Sequence, residues 1–245
     1  MLEHVVNLAK KATASRDDVG ILVATEDTRI YDYAQTLNIE TVMTPDSCPT
    51  GTDRAHAAIQ AAGITPEIVL NLQGDAPLTP PHFITEMITA FDTTPDADVV
   101  TPAWQLTWDQ LDALYESKIK TPFSGTTVTV KPNGEALWFS KNIIPAIRDA
   151  GKLRGENVLS PVLKHIGLYA YRTKALTDFI NLPQSPYEKL EGLEQLRLLE
   201  NGYKIRVVTV DPGPYPIHGG IDSPEDIAAA EKILTTYTQT KDTPS

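Results

Sequence analysis

The tightest constraint on how this chain folds is the alternation of two periodicities over its first hundred or so residues. Leu2, Val5, Val6, Leu8 and Ala9 recur at helical spacing, and residues 20–25 (GILVAT) then read as a short buried strand. The same exchange follows as a helix over 27–37 and a strand over 40–43, then a helix over 53–62 and a strand over 68–72. It ends with a helix over 80–91 and a strand over 98–103. Strands separated by helix-length segments are joined by crossovers rather than hairpins, and this pattern implies parallel pairing. The predicted fold class is therefore α/β: a Rossmann-like domain with a mostly parallel sheet and helices on both faces.

The middle of the chain breaks that rhythm. Residues 126–131 alternate as a strand, Pro132-Asn133-Gly134 supplies a turn, and residues 136–139 begin a second strand. This hairpin reads as a small β-rich insertion, placed around 115–170, or as an oligomer contact. Further on come a strand over 167–171, helices over 175–181 and 192–201, a strand over 205–210 and a closing helix from 224 to about 235. Leu190, Leu193, Leu196 and Leu199 are expected to form one inward stripe. Residues 1–245 thus read as a single domain. Such domains usually open with a strand, whereas this chain opens with a helix. Either the sheet is built without an initial strand, or the chain lacks its natural start.

Composition narrows the function classes. The formal net charge is −11, so polyanions are repelled, and neither nucleic acid nor an anionic membrane face is the expected partner. A small anionic nucleotide remains compatible, because a local cation cluster or a metal reverses the field in one cleft. Cys48 is the only cysteine, which rules out an intrachain disulfide. No apolar run approaches membrane-spanning length and the N-terminus lacks a signal peptide's apolar core, so the expected location is cytoplasmic.

The stretch "VLNLQGDAPL" (69–78) carries the first candidate site. A strand ends there in Gln73, Gly74 and Asp75, and ligands in open α/β sheets sit beyond the carboxyl ends of strands. Gly74 lets backbone approach a ligand, Asp75 offers hard oxygens suited to Mg²⁺, and Gln73 both donates and accepts. A strand ending in an ordinary turn, with Asp75 bonding its own backbone, explains the same residues. Asp222, in "GIDSPEDI", stands just before a proposed Ser223 cap and Pro224. It is either itself the cap or a second carboxylate for the same magnesium.

"PTGTDRA" (49–55) is a glycine-containing loop entering a helix, where Thr50, Thr52 and the amides around Gly51 can meet an anion or a base, with Arg54 the nearby cation. An ordinary capped helix with a surface arginine is the simpler alternative. Neither a GxxxxGK[ST] nor a GxGxxG motif occurs. "HIGLYAYR" puts His165, Gly167, Tyr169 and Tyr171 on one strand face, lining either a polar cleft or a tyrosine-rich core. Glu194 and Gln195 project from different sides of their helix. The histidines are scattered without zinc spacing, and Asp96-Ala97-Asp98 precedes a strand where a metal-binding D-x-D would follow one.

Taken in order, ILVATEDTRI, TPDSCPTGTDRA, VLNLQGDAPL, EALWFSKNIIP, HIGLYAYR, LEGLEQLRLLENGYKI and GIDSPEDI resemble the 3-deoxy-D-manno-octulosonate (Kdo) cytidylyltransferases, or CMP-Kdo synthetases, over nearly the whole chain. The resemblance implies a Rossmann-like nucleotidyltransferase domain of the nucleotide-diphospho-sugar transferase type, with a β-rich dimerisation insertion and a homodimer. It implies the reaction CTP + Kdo → CMP-Kdo + diphosphate, in lipopolysaccharide biosynthesis, with Mg²⁺ as cofactor. Carried over by motif, Asp75 and Asp222 hold the magnesium and are the catalytic pair. Thr50, Gly51, Thr52, Arg54 and Gly74 border the nucleotide, with Thr52 and Arg54 in the cytidine pocket. Gln73, Lys141, His165, Tyr169, Glu194 and Gln195 border the sugar acid.

Three positions depart from the family pattern. Ala76 stands where the family has glutamate after Q-G-D, and Lys141 where it has arginine after F-S, giving up a bidentate fork for a carboxylate. Met1-Leu-Glu-His aligns after the family's opening strand and its R-x-x-S-x-R-x-P-G-K loop, so the chain as it stands is expected to bind CTP weakly and turn over poorly. The alternatives carried with this reading are a cytidylyltransferase for a related acid, such as 8-amino-Kdo or a nonulosonate, and a non-catalytic homologue.

Overall fold

A computed structural model describes residues 1–213, 220, 221, 227, 228 and 230–232 of the chain. In order, the elements of the first half are α1 (Leu2–Ala12), β1 (Leu22–Thr25), α2 (Thr28–Thr36), β2 (Glu40–Met43), α3 (Gly51–Ala61), β3 (Ile68–Asn71), α4 (Pro81–Thr93) and β4 (Val99–Thr107). The second half contains α5 (Trp108–Lys120), β5 (Thr126–Val130), β6 (Ala136–Ser140), α6 (Ala150–Glu156) and β7 (Leu159–His165). It continues with β8 (Tyr169–Arg172), α7 (Thr173–Asn181), α8 (Pro186–Glu191), α9 (Gln195–Glu200) and β9 (Ile205–Thr209). The alternation over the first hundred residues appears as expected, with boundaries shifted by a residue or a few.

The sheet corrects the mostly parallel expectation. β1 and β2 form a separate parallel pair, while seven strands form a second sheet ordered β3-β8-β4-β7-β5-β6, with β9 also on β4. In that sheet only β4–β9 is parallel; β3–β8, β8–β4, β4–β7, β7–β5 and β5–β6 are all antiparallel. β3 and β4 do run the same way, as the crossover through α4 requires. The later β8 lies between them and turns one parallel contact into two antiparallel ones. Periodicity reports element type, not which strand becomes whose neighbour.

β4 is the hub. Val99 and Val100 pair with β8 on one side and β9 on the other, and Ala103 likewise pairs with β7 and β9, so β8 and β7 lie end to end along one edge. Its side chains feed both faces. Val100 joins Leu8, Phe83, Met87, Leu106 and Leu111 beneath α1, α4 and α5, whereas Val99 joins Phe139, Leu176, Phe179, Leu196 and Ile205 beneath α7 and α9. Burial on both faces explains its apolar sequence.

The hairpin of β5 and β6 is confirmed, and it continues the main sheet through β7. Gly134 in its turn has φ +81°, a conformation that favours glycine, and a Cβ there would sit 2.6 Å from Arg206 Nη1 and push that guanidinium aside. Several elements went unread in the sequence: α5, α6 and β7 were missed, α8 precedes the helix expected over 192–201, and that helix itself begins only at Gln195, as α9. Gly192, at φ +63°, caps α8 and resets the register before α9. Leu193 and Leu196 are buried as expected, but Leu190 is 75% exposed, because it belongs to α8 rather than to the stripe on α9. Of the closing helix expected from 224, residues 227, 228 and 230–232 are described and helical.

Candidate active site

Three segments converge at the carboxyl end of β3: the loop that follows it, the N-terminus of α3, and the entry to α9. Thr50 caps α3 by accepting from the Thr52 and Asp53 amides, each at 3.2 Å, and donates to Asp53 Oδ2 at 2.7 Å. Gly51 is exposed at that end, and a Cβ on it would lie 3.7 Å from Gln73 Nε2, so the Gln73 amide rests against the α3 terminus. Thr52 is only 4% exposed and donates to Glu194 Oε2 at 3.0 Å, a contact spanning 142 residues of sequence. Burial raises the Glu194 carboxyl pKa. The Thr52 and Thr50 hydroxyls and Arg197 oppose that rise, and Asp53 adds to it.

From Glu194 the surface continues along β8 and β7. Tyr169 stacks on Tyr171 at 5.9 Å and meets the His165 ring at 5.4 Å; His165 in turn meets Phe139 edge-on at 5.1 Å. The one-face expectation for His165, Tyr169 and Tyr171 therefore holds, even though residues 166–168 interrupt the strand. Along β4 the break inserts two extra residues (five positions from His165 to Ala170 against three from Ala103 to Val100), and an even number preserves side-chain parity. Burial raises both phenol pKa values.

His165 is held neutral. Burial, with the Lys141 charge nearby, lowers its pKa to about 3. Thr101 Oγ1 lies 2.8 Å from His165 Nε2 and 2.8 Å from the Leu168 carbonyl. A carbonyl only accepts, so the Thr101 proton goes to Leu168 and His165 Nε2–H donates to Thr101. That leaves His165 Nδ1 as an acceptor. Lys141 is anchored through its backbone: its N–H donates to Glu191 Oε2 at 2.7 Å, and Ser140 Oγ donates to Oε1 at 2.9 Å.

Two expected site residues sit differently from their neighbours. Arg54 is engaged by Glu26 at 2.5 Å and by Thr44 Oγ1 at 2.7 Å, so its charge is already matched. Gln195 is 5% exposed with its Nε2 buried and lacking a partner among the described residues. Glu194 and Gln195 do diverge, the one toward α3 and the other into the protein. Asp96 and Asp98 are occupied by Lys204, through its ammonium at 2.7 Å and its backbone N–H at 2.8 Å.

The loop after β3 is of another kind. The Ala76 amide donates to the Gln73 carbonyl at 3.2 Å, which forms the turn at Gly74. The Asp75 carbonyl accepts from the Ile221 amide at 2.9 Å, and a Cβ on Gly220 would fall 2.5 Å from Asp75 Oδ2. Among the described residues the Asp75 carboxylate itself has no hydrogen-bond or ion-pair partner. Asp222 lies outside the described residues. A carboxylate of hard oxygens, held by its backbone and without a side-chain partner among the described residues, fits a magnesium ion that draws its remaining ligands from water and phosphate. Among the described residues there is no cluster of three or more metal-ligating side chains.

A sequence model of the family described as "Cytidylyltransferase" matches residues 1–205. The chain belongs to the cytidylyltransferase family. It is a nucleotidyltransferase, and the Kdo-specific members of the family are similar to it throughout. It is 40% identical over 235 residues to the 3-deoxy-manno-octulosonate cytidylyltransferase of Nitratidesulfovibrio vulgaris, covering 96% of this chain and 85% of the relative. It is 38% identical over 216 residues to that of Maricaulis maris, covering 87% and 80%. Its fold matches a solved CMP:2-keto-3-deoxy-manno-octonic acid synthetase complexed with CTP, with a TM-score of 0.79 at 29% identity over 98% of this chain and 88% of the other.

For a cytidylyltransferase, then, the motif reading named polar groups both exposed and buried, Thr52, His165 and Gln195 among the buried ones, and missed the partners that hold several of them. Thr101, Glu191, Glu26 and Gly220 lie against His165, Lys141, Arg54 and Asp75. Glu26, Glu191 and Gly220 stand within the stretches ILVATEDTRI, LEGLEQLRLLENGYKI and GIDSPEDI, but nothing in residue order assigned them these partners, and Thr101 lies in none of the stretches.

Proposed function

We propose that this cytidylyltransferase activates Kdo: CTP + Kdo → CMP-Kdo + diphosphate, the sugar's anomeric hydroxyl attacking the α-phosphorus and diphosphate leaving. The observation that carries this reading is the 40% identity to a 3-deoxy-manno-octulosonate cytidylyltransferase across 96% of the chain. The site's donor set supports it. In-line phosphoryl chemistry asks a protein mainly for positioning and charge neutralisation, and the site is rich in fixed polar groups and poor in nucleophiles.

In this reading Thr50, Gly51, Arg54 and Gly74 border the nucleotide. Gln73, His165, Tyr169 and Glu194 face the sugar hydroxyls, with Gln195 buried behind Glu194. His165 stays neutral and accepts at Nδ1. Lys141 meets the sugar carboxylate. Asp75, with Asp222, holds Mg²⁺, which when bound neutralises phosphate charge and polarises the attacked phosphorus.

The same proposal places the enzyme in the cytoplasm, serving lipopolysaccharide biosynthesis, as a homodimer. Support for the dimer comes from exposed Leu137, Tyr187 and Leu190 around the sheet-edge strand β6. No helix among the described residues is long and apolar enough to cross a membrane.

The test is diphosphate release by the purified chain from CTP and Mg²⁺ with Kdo, 8-amino-Kdo and a nonulosonate offered separately. Release with Kdo well above the others is expected. Preference for another acid overturns the substrate, and silence with all three, both from this chain and from a version extended upstream by the family's R-x-x-S-x-R-x-P-G-K segment, overturns the catalytic reading.

A further inference from the structure

The nucleotide-side and sugar-side segments meet at one buried hydrogen bond, between Thr52 of α3 and Glu194 at the start of α9. Thr52 is 4% exposed, and its single hydroxyl proton is directed to Glu194 Oε2. Its backbone N–H is already taken by Thr50, and Tyr171 reaches the same hydroxyl from β8. These contacts leave the Thr52 side chain with no donor to offer a base in the cleft.

We propose that Thr52 is a positioning residue of the sugar side: by occupying Oε2 of Glu194 it fixes the carboxylate in the orientation that meets the sugar's hydroxyls. This rests on the reading above, in which Glu194 faces the sugar acid. A glutamate has several rotatable bonds and loses rotamer freedom when it binds a ligand. Holding one oxygen beforehand removes much of that cost.

The groups around Glu194 determine its charge. Arg197 on its own helix and the Thr50 and Thr52 hydroxyls of α3 favour the carboxylate. Burial and Asp53 oppose it, and Tyr169 and Tyr171 face it from β8. Removing the Thr52 donor removes a contact that favours the ionised form, so the Glu194 pKa must rise further.

The decisive variants are Thr52→Val, which keeps the shape and loses the hydroxyl, and Thr52→Ser, which keeps the hydroxyl. The Glu194 carboxyl is followed by NMR in the ligand-free protein as pH is varied, then as Kdo is added. In Thr52→Val we expect the Glu194 pKa to rise by about 0.5–1 unit, the equivalent of one hydrogen bond. On the same basis, Kd and KM for Kdo should rise about five- to tenfold, while KM for CTP stays within about twofold. Thr52→Ser should restore all three.

An unchanged Glu194 titration in Thr52→Val overturns the inference, as does a loss confined to CTP, which would assign Thr52 to the base. Kdo binding as tight in Thr52→Val as in wild type overturns it too, while leaving the Kdo reading intact. Wild-type protein that binds no Kdo instead sinks the Kdo reading itself.

Discussion

The two ends of this site are built on opposite terms. Around Thr52, Glu194 and His165, each functional group is fixed by protein: Thr52 by Glu194, His165 by Thr101, and Lys141 through its backbone by Glu191. Beneath them, Arg197 pairs with the buried Glu188 at 2.5 Å and lies over Phe179 at 3.9 Å. At the other end Asp75 has backbone support from Ile221 and Gly220 close against its carboxylate, which is without a side-chain partner among the described residues. The hydroxyls of a sugar are best met by groups aligned in advance, because each of their hydrogen bonds is weak. A phosphate-bound cation brings its own field and needs only an accessible oxygen. The wired end should therefore couple function to stability, and the open end should not.

The largest effect expected is on stability. Arg197→Ala leaves Glu188 charged and buried alone and should cost about 3–5 kcal/mol in denaturant unfolding. A loss under about 1 kcal/mol would show that the wired end is not supported from beneath. Asp75→Asn is the counterpart. It should lower kcat on the order of 100-fold or more with the unfolding midpoint unchanged, since a metal-binding oxygen goes while no side-chain hydrogen bond among the described residues is broken. An Asp75→Asn protein that unfolds easily, or works normally, breaks the comparison at its open end.

Thr101→Val tests the wired end more finely. Without that hydroxyl the His165 ring loses the acceptor that sets its tautomer, and KM for the sugar acid should rise roughly tenfold with KM for CTP unmoved. The smallest effect concerns pH. His165 is held neutral in the fold, with a pKa lowered to about 3 against an ordinary value of about 6.5. Its contribution to stability is therefore complete above about pH 6.5 and is lost as pH falls toward 3, where the unfolded chain binds the proton and the fold does not. His165→Gln should flatten that part of the stability–pH curve; an unaltered curve would show that His165 is not the group responsible.

Much of this was legible from residue order because its causes are local. Helical and strand periods placed α1 through β4, and the turn at Pro132-Asn133-Gly134 placed the hairpin. The strand ending at Gln73-Gly74-Asp75 and the loop at Thr50-Gly51-Thr52 located the site. β7 went unread because its run, LSPVLKH, carries a proline and a lysine and gives no clear two-residue period. Leu190 was assigned to the wrong face because Gly192 was read as a helical residue rather than as a left-handed cap.

The sequence by itself determined the element types, the segments that carry chemistry and the family, since each depends on short windows or on motifs in order. Only the tertiary structure decided that β8 separates β3 from β4, making the main sheet largely antiparallel. Only it paired Thr52 with Glu194, Thr101 with His165 and Gly220 with Asp75. Those pairings join residues far apart in the chain, and their geometry is set by how layers pack. The sequence thus named groups able to bind a nucleotide and a sugar acid, whereas packing determined which are held in advance and which stay open for a ligand.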